Sequence, residues 1–258
     1  MIEDRKKKRR LVVIVVLVFA VVAAIVVPLL VVLGREGPTR ASKVVIPEGY
    51  RASQVYEAVD KALDVDGGTT KKAVSKARLD LPGAADGNPE GYLFPATYPV
   101  DDKTTSASLL SYMTNTADQR NGDSSYDTVT VASIVQAEAD THDDMGKVAR
   151  VIYNRLDQGM PLQMDSTINY ALNRSTLDTS HEDTRIDSPY NTYEHKGLPP
   201  TPIGNPGQDA LDAAIDPPKG DWLYFVTVAP GDTRFTDSYE EQKKNVEEFN
   251  SRQASAKE

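Results

Sequence analysis

The chain of 258 residues has no cysteine and only three histidines. The lack of cysteine excludes a disulfide scaffold, thiolate catalysis and cysteine-ligated metals. The histidines, His142, His181 and His195, form no closely spaced pair of the kind that binds zinc. We therefore predict no metal site and no cofactor.

Positive charge is scarce outside the first ten residues. The whole chain carries a formal charge of -9, and residues 1–10 carry six basic and two acidic side chains, which leaves -13 on the remainder. Nucleic-acid binding needs clustered lysine and arginine, so the acidic bulk argues against a nucleic-acid partner. It also argues against a broad basic patch lying on anionic lipid headgroups.

One long apolar run is present. Leu11–Leu33 is 23 residues without a charge, and a helix of that length spans about 35 Å, enough for a hydrocarbon core of about 30 Å. The alternative is a cleaved signal peptide with small residues near Ala24, but the run is longer than a normal signal-peptide core. We predict a transmembrane helix over 11–33, a cytoplasmic basic tail over 1–10 and a linker over 34–42, with the remainder outside.

The rest of the chain alternates short helical and strand patterns and predicts an α+β fold. Lys43–Tyr50 is β-prone, and Arg51–Leu63 has helical spacing with Ser53 as a candidate N-cap. This order predicts a small α/β subdomain over 43–88, followed by a larger α+β domain over 89–250. The larger domain has predicted strands over 90–98 and 222–228, predicted helices over 105–115, 128–139, 147–158, 209–215 and 238–249, and an expected disordered tail over 251–258.

Glu138 is a carboxylate in the apolar segment Val131–Ala139. A glycosidic oxygen leaves only when protonated, and the acid that protonates it must hold its proton near neutral pH. An apolar setting raises the pKa of a glutamate in that direction because it penalises the ionised form. We predict that Glu138 is a general acid, although a lone glutamate on a helix is more often a solvated surface residue.

Two later stretches, 148–171 and the proline-rich 188–207, combine amides, hydroxyls and aromatic rings, the groups that bind sugars. Each candidate also has a structural alternative, such as capping or pinning a helix, or forming a turn. The predicted substrate-binding residues are Glu90, Asn154, Arg155, Gln163, Asp165, Tyr170, Ser188, Tyr190, Asn191, Thr192, Tyr193 and Asn205.

Four sequence motifs resemble those of the YceG-like endolytic murein transglycosylase family: Glu90–Tyr98, Ala132–Glu138, Asn154–Thr167 and Ser188–Gly207. The chain departs from the family pattern at a few places. It has Gln136 for an acidic residue, Met164 for serine, Ser166 for proline, and Thr233 and Gln242 where the family commonly has histidine.

The resemblance implies an enzyme that cuts nascent peptidoglycan strands beside the bacterial cell membrane. It implies that Glu138 first protonates the β-1,4 bond after N-acetylmuramic acid and then acts as the base that forms a 1,6-anhydro end. It further implies that 43–88 is LysM-like, that 89–250 is the catalytic domain, and that glycan polymerases such as penicillin-binding proteins are partners.

Two other functions stay open from the sequence. The first is an inactive peptidoglycan-binding or scaffold protein, favoured by Gln136, Thr233 and Gln242. The second is a true hydrolase that pairs Glu138 with Glu90 or Asp165, since ordinary glycosidases use two carboxylates.

Overall fold

The computed structural model describes residues 42–174 and 179–255. The predicted basic tail over 1–10, the predicted transmembrane helix over 11–33 and nearly all of the predicted linker lie outside the described residues. Within the described ranges, no helix is both long and apolar enough to cross a membrane.

The described residues form a mixed α+β fold, which confirms the predicted fold class. The helices are α1 (Ala52–Ala62), α2 (Thr69–Ala73), α3 (Ser106–Asn121), α4 (Tyr126–Glu138), α5 (His142–Asp157), α6 (Asp165–Ala171), α7 (Gln208–Ile215) and α8 (Tyr239–Ser255). The strands are β1 (Ser42–Val45), β2 (Thr97–Val100), β3 (Tyr224–Ala229) and β4 (Asp232–Thr236), with short 3₁₀ turns at Val74–Lys76, Gly83–Ala85 and Asp183–Arg185.

The first hydrophobic core lies between the β1–β2 sheet and helices α1 and α3. The two strands are antiparallel, with Val44 opposite Tyr98. Helix α1 contributes Val55 and Val59, which lie on one face because they are one turn apart, and both are fully buried. Leu109 and its neighbours on α3 close the same core, so this core extends beyond residue 88, the predicted end of the subdomain.

Several boundaries differ from the sequence-based predictions. Helix α1 begins at Ala52 with Arg51 as its N-cap residue, so Ser53 is not the cap. The aromatic segment 90–96 packs as a buried loop, and only Thr97–Val100 forms a strand. Helix α8 continues to Ser255, where the sequence predicts a disordered tail from residue 251. Strand β4 was not predicted, because its short polar sequence carries little β signal.

The second core surrounds helix α4. Residues 129–135 are all buried, which fits a run that is apolar on every face. Its two buried hydroxyls are both satisfied, because Thr130 Oγ1 donates to the Tyr126 carbonyl at 3.0 Å and Ser133 Oγ accepts a hydrogen bond of 3.0 Å from the Ile203 N–H. The helix ends at Glu138 because Ala139 is extended (φ −142°, ψ 145°). A helix whose central seven residues are all buried therefore holds Glu138 at its end.

The β3–β4 hairpin and helix α8 form the third layer. Phe225 lies opposite Phe235 across the hairpin, with the two rings stacked at 5.8 Å. Gly231 makes the turn with φ of 76°, a conformation that glycine adopts without strain. Arg234 of β4 forms an ion pair of 2.6 Å with Glu248 of α8, which helps to hold the helix against the hairpin.

Candidate active site

Glu138 lies at the end of α4, where two clefts meet. Its carboxylate is half-buried, and Oε1 accepts a hydrogen bond of 3.3 Å from the Ser166 main-chain N–H. One cleft has a volume of about 390 Å³ and lies beside Arg51. The other has a volume of about 600 Å³ and lies beside the β3–β4 hairpin. Glu138 and Asp165 line both clefts, so an extended ligand lying in both would pass the Glu138 carboxyl group.

The surroundings of Glu138 favour its protonated form. Burial raises the pKa of the Glu138 carboxyl, and the negative charge of Asp165 raises it further, while the contact with Ser166 acts in the opposite direction. The position at the carboxyl end of α4 also disfavours a negative charge, because the helix dipole is negative there. The net rise in pKa is the property that a general acid at neutral pH requires.

The Arg51 cleft contains a cationic side chain that was not predicted as a site residue. The half-buried Arg51 guanidinium lies 5.0 Å from the centre of the Tyr170 ring and donates a hydrogen bond of 2.8 Å to the Arg174 carbonyl. It forms no ion pair with any residue of the described ranges, and burial lowers its pKa. The signal in the sequence is an arginine directly after the Pro-Glu-Gly-Tyr turn, a position that also marks the predicted start of a helix.

The hairpin cleft has a mixed polar and aromatic lining. Arg155, Gln163 and Tyr193 face it from one side, and Tyr224 and Phe225 of β3 face it from the other. Guanidinium, amide and aromatic groups on facing walls are suited to a sugar, whose hydroxyls accept and donate hydrogen bonds and whose apolar faces stack on rings.

Asp165 and Tyr193 are brought together beside Glu138. The Tyr193 hydroxyl donates a hydrogen bond of 2.5 Å to Asp165 Oδ1. Burial and the Asp165 carboxylate raise the pKa of Tyr193, so its hydroxyl stays protonated. This hydrogen bond joins the 188–207 stretch, which contains Tyr193, to the first residue of α6, Asp165.

Asn154 and Arg155 attach the hairpin to α5. Asn154 Nδ2 donates to the carbonyls of Gly220 and Trp222 at 3.0 and 2.9 Å. Arg155 Nε donates to the Leu223 carbonyl at 2.7 Å. Arg155 Nη1 also reaches Gln163 Oε1 at 3.1 Å. These contacts give both side chains a structural role, and Arg155 in addition lines the hairpin cleft.

The loop that begins at Ser188 is fixed by its own predicted site residues. Asn191 is fully buried, and its Nδ2 donates to the Ile186 carbonyl at 2.9 Å. Thr192 Oγ1 accepts a hydrogen bond of 3.0 Å from the Met164 N–H. Ser188 Oγ accepts from the Tyr190 N–H at 3.3 Å. These contacts hold the loop against the start of α6, and the predicted sugar contacts of these residues stay predictions.

Glu90 and Asn205 lie behind the cleft, in a buried network. Glu90 is 4% exposed, and its carboxylate accepts hydrogen bonds from the Ala52 N–H at 2.8 Å and from the Tyr170 hydroxyl at 3.0 Å. Asn205 is fully buried, accepts from the Leu93 N–H at 2.7 Å and donates to Glu90 at 3.3 Å. Burial raises the pKa of Glu90 to about 7. The observed contacts give both side chains a structural role, and their predicted contact with substrate stays a prediction.

Three of the residues that depart from the family pattern have internal hydrogen-bond partners. Gln136 Oε1 accepts a hydrogen bond of 2.8 Å from the Gly207 N–H, so its side chain is directed to a different segment from that of Glu138. Thr233 Oγ1 pairs with Thr227 Oγ1 at 3.0 Å, and Gln242 Nε2 donates to the Phe225 carbonyl at 3.0 Å. Across residues 42–174 and 179–255, no group of three or more His, Asp or Glu side chains could hold a metal ion.

Known proteins are similar to this chain in sequence and in fold. A protein from Bacillus subtilis (strain 168) named endolytic murein transglycosylase is 40% identical over 171 residues, which cover 62% of this chain and 48% of that protein. A protein of the same name from Streptococcus pneumoniae serotype 2 is 34% identical over 243 residues, which cover 80% of this chain and 44% of that protein. The chain therefore spans about half the length of the curated relatives it matches.

The crystal structure of a yceG-like protein from Listeria monocytogenes superposes with a TM-score of 0.69 at 28% identity, covering 79% of this chain and 75% of that one. The sequence model of the YceG-like family matches residues 26–248, most of the chain. This match establishes that the chain belongs to the YceG-like family.

Proposed function

We propose that the chain is a lytic transglycosylase that cuts the glycan strands of peptidoglycan, with Glu138 as its acid/base. The observation that carries the proposal is the position of Glu138 at the junction of two clefts, with a raised pKa. The names of the relatives from Bacillus and Streptococcus support the substrate class.

The proposed reaction uses one carboxyl group twice. Glu138 donates its proton to the glycosidic oxygen, and the bond between that oxygen and the anomeric carbon of N-acetylmuramic acid breaks. The Glu138 carboxylate then takes the proton from the C6 hydroxyl of the same sugar as the C6 oxygen bonds to the anomeric carbon. A 1,6-anhydro ring forms and no water is consumed. The nearby intramolecular hydroxyl replaces an attacking water, so a second catalytic carboxylate is not required.

The neighbours of Glu138 fit this single-carboxyl scheme. Glu90, one candidate for the second carboxylate of a hydrolase, is buried and fully engaged in hydrogen bonds. Asp165, the other candidate, is held by the Tyr193 hydroxyl. We propose that Asp165 acts through its charge, which keeps Glu138 protonated, and that Tyr193 keeps Asp165 in place.

We propose that Arg51 binds an acidic group of the strand. Its charge is unpaired among the described residues and it lies in the same cleft as Glu138. Peptidoglycan strands carry carboxylates on the peptides attached to N-acetylmuramic acid, and a planar guanidinium binds a carboxylate through two parallel hydrogen bonds.

We further propose that the β1–α1–α2–β2 unit is LysM-like and binds glycan, and that the protein is located at the membrane. The order β1–α1–α2–β2 with an antiparallel β1–β2 pair supports a LysM-like unit. The apolar run Leu11–Leu33 supports a single membrane anchor with the described residues outside the cytoplasm. A linker of about nine residues extends at most about 30 Å, so cutting takes place near the bilayer, where glycan polymerases are the proposed partners.

The test is mass spectrometry of peptidoglycan strands incubated with the purified full chain or with its Glu138→Gln variant. The glutamine keeps the shape of the side chain but has no proton to donate, so the rate should fall by at least about 10²- to 10⁴-fold. Glu57→Gln on the exposed face of α1 removes the same charge away from the clefts and should leave the rate unchanged.

The ends of the products separate the alternative functions. Internal fragments with 1,6-anhydro ends, made by the wild type and the Glu57→Gln variant only, support the proposal. Reducing ends would indicate a hydrolase. Strands that bind but stay intact with every protein would indicate an inactive binding protein, and full activity of Glu138→Gln would remove Glu138 from the catalytic role.

A further inference from the structure

Ser166 presents its main-chain N–H and its hydroxyl to the site beside Glu138. Its main-chain N–H donates the hydrogen bond of 3.3 Å to Glu138 Oε1. Its hydroxyl oxygen is buried beside the Arg51 cleft; it meets no described residue at hydrogen-bond geometry, but it lies close enough to the Glu138 carboxyl group to lower its pKa together with the N–H.

We propose that Ser166 is a positioning residue for Glu138, whose N–H fixes one carboxyl oxygen and leaves the other free to meet the glycosidic bond. This inference rests on the proposed function and adds a residue to its site. The N–H is available for this task because it lies in the first turn of α6, where no carbonyl of the helix can accept it.

The residue type at 166 decides whether this hydrogen bond exists. Serine has a main-chain N–H, whereas proline has none. The YceG-like motif that residues 154–167 resemble has proline at this position. The hydrogen bond favours the ionised form of the carboxyl group that accepts it. This chain therefore offsets part of the effect of burial and of Asp165, both of which favour the protonated form of Glu138.

The consequence appears in the pH dependence of cleavage. The first step needs protonated Glu138, so kcat/KM falls as the pH rises through the pKa of Glu138 in the free enzyme. Loss of the Ser166 N–H makes the ionised form less favourable and moves that fall to higher pH. For a charge-assisted hydrogen bond of this length we expect a displacement of about half to one pH unit.

The experiment compares four forms of the full chain by the initial rate of 1,6-anhydro end formation from pH 4 to 9. They are the wild type, Ser166→Ala, Ser166→Pro and a form in which the residue 166 amide is replaced by an ester of lactic acid. Ser166→Ala keeps the N–H and removes the hydroxyl. Ser166→Pro and the ester remove the N–H as well as the hydroxyl, so Ser166→Ala is their reference. The ester lacks the proline ring, which keeps the test available if Ser166→Pro fails to fold.

The alkaline limb should lie at higher pH for the ester than for Ser166→Ala, because these two forms differ only in the N–H; any displacement of Ser166→Ala from the wild type measures the hydroxyl alone. Coincident limbs in all four forms would overturn the inference. A displacement of the Ser166→Ala limb equal to that of the ester would also overturn it, because the hydroxyl would then be the active group. Failure of the proposed function is seen separately, as full activity of Glu138→Gln or as products without anhydro ends.

Discussion

Substitution of Glu90 by glutamine should stabilise the protein at neutral and alkaline pH but not at acidic pH. Glu90 is 4% exposed, and burial raises its pKa from 4.5 to about 7. Below pH 4.5 the group is protonated in both the folded and the unfolded chain. As the pH rises from 4.5 to 7 the unfolded chain releases the proton first, so the free energy of unfolding falls.

The size of this effect follows from the two pKa values. One pKa unit corresponds to about 1.4 kcal/mol, so the wild type loses about 3 kcal/mol by pH 8 through this group. Glutamine does not ionise and escapes the loss. Its carbonyl oxygen can still accept from the Ala52 N–H, and its amide can donate to the Tyr170 hydroxyl in place of the original bond. For a protein of this size 3 kcal/mol corresponds to a rise in Tm of about 6–12 °C.

Thermal unfolding of the full-length wild type and Glu90→Gln proteins at pH 4, 6.5 and 8 measures this difference. These values avoid pH 5, near the sequence pI of about 5.0, where net repulsion between molecules is weakest. The difference in Tm between variant and wild type should grow with pH, while exposed Glu57→Gln should follow the wild type throughout. A difference that stays constant from pH 4 to 8 would refute the burial argument, because any cost of the new hydrogen bonds is the same at each pH.

Three further outcomes follow from the site. Asp165→Asn removes the negative charge that raises the pKa of Glu138, so the alkaline limb of the pH–rate profile should move to lower pH. This is opposite to the effect of removing the Ser166 N–H, and a move to higher pH would contradict the prediction. Gln136→Glu added to Glu138→Gln should not restore cleavage, because the side chain at 136 accepts a hydrogen bond from the Gly207 N–H instead of facing the clefts. Recovery of products with anhydro ends would refute that geometry. Arg51→Gln should raise KM about tenfold for strands that carry peptides, but not for strands whose peptides have been removed. Initial rates on the two substrates measure this. Equal changes in KM for both would exclude the peptide carboxylate as the partner of Arg51.

The catalytic candidate could be found from sequence, but the roles of its neighbours could not. An isolated carboxylate in an apolar segment predicts a raised pKa, and Glu138 has one. Residue type alone does not reveal whether an amide or hydroxyl faces a cleft or the protein interior. Asn191 and Asn205 have the side chains of sugar-binding residues, yet both are fully buried and bond to main-chain atoms. Conversely, Arg51 carried no catalytic motif and lies in the cleft.

The sequence by itself determined the α+β class, the apolar helix that carries Glu138 and the uncharged apolar segment Leu11–Leu33, because each depends on local composition and periodicity. The tertiary structure decided which atoms meet. Ser166 lies 28 residues from Glu138 and Tyr193 lies 28 residues from Asp165 along the chain. Contacts between segments so far apart depend on how helices and loops pack around a shared core. Packing is a property of the whole fold, and therefore no local pattern predicts these contacts.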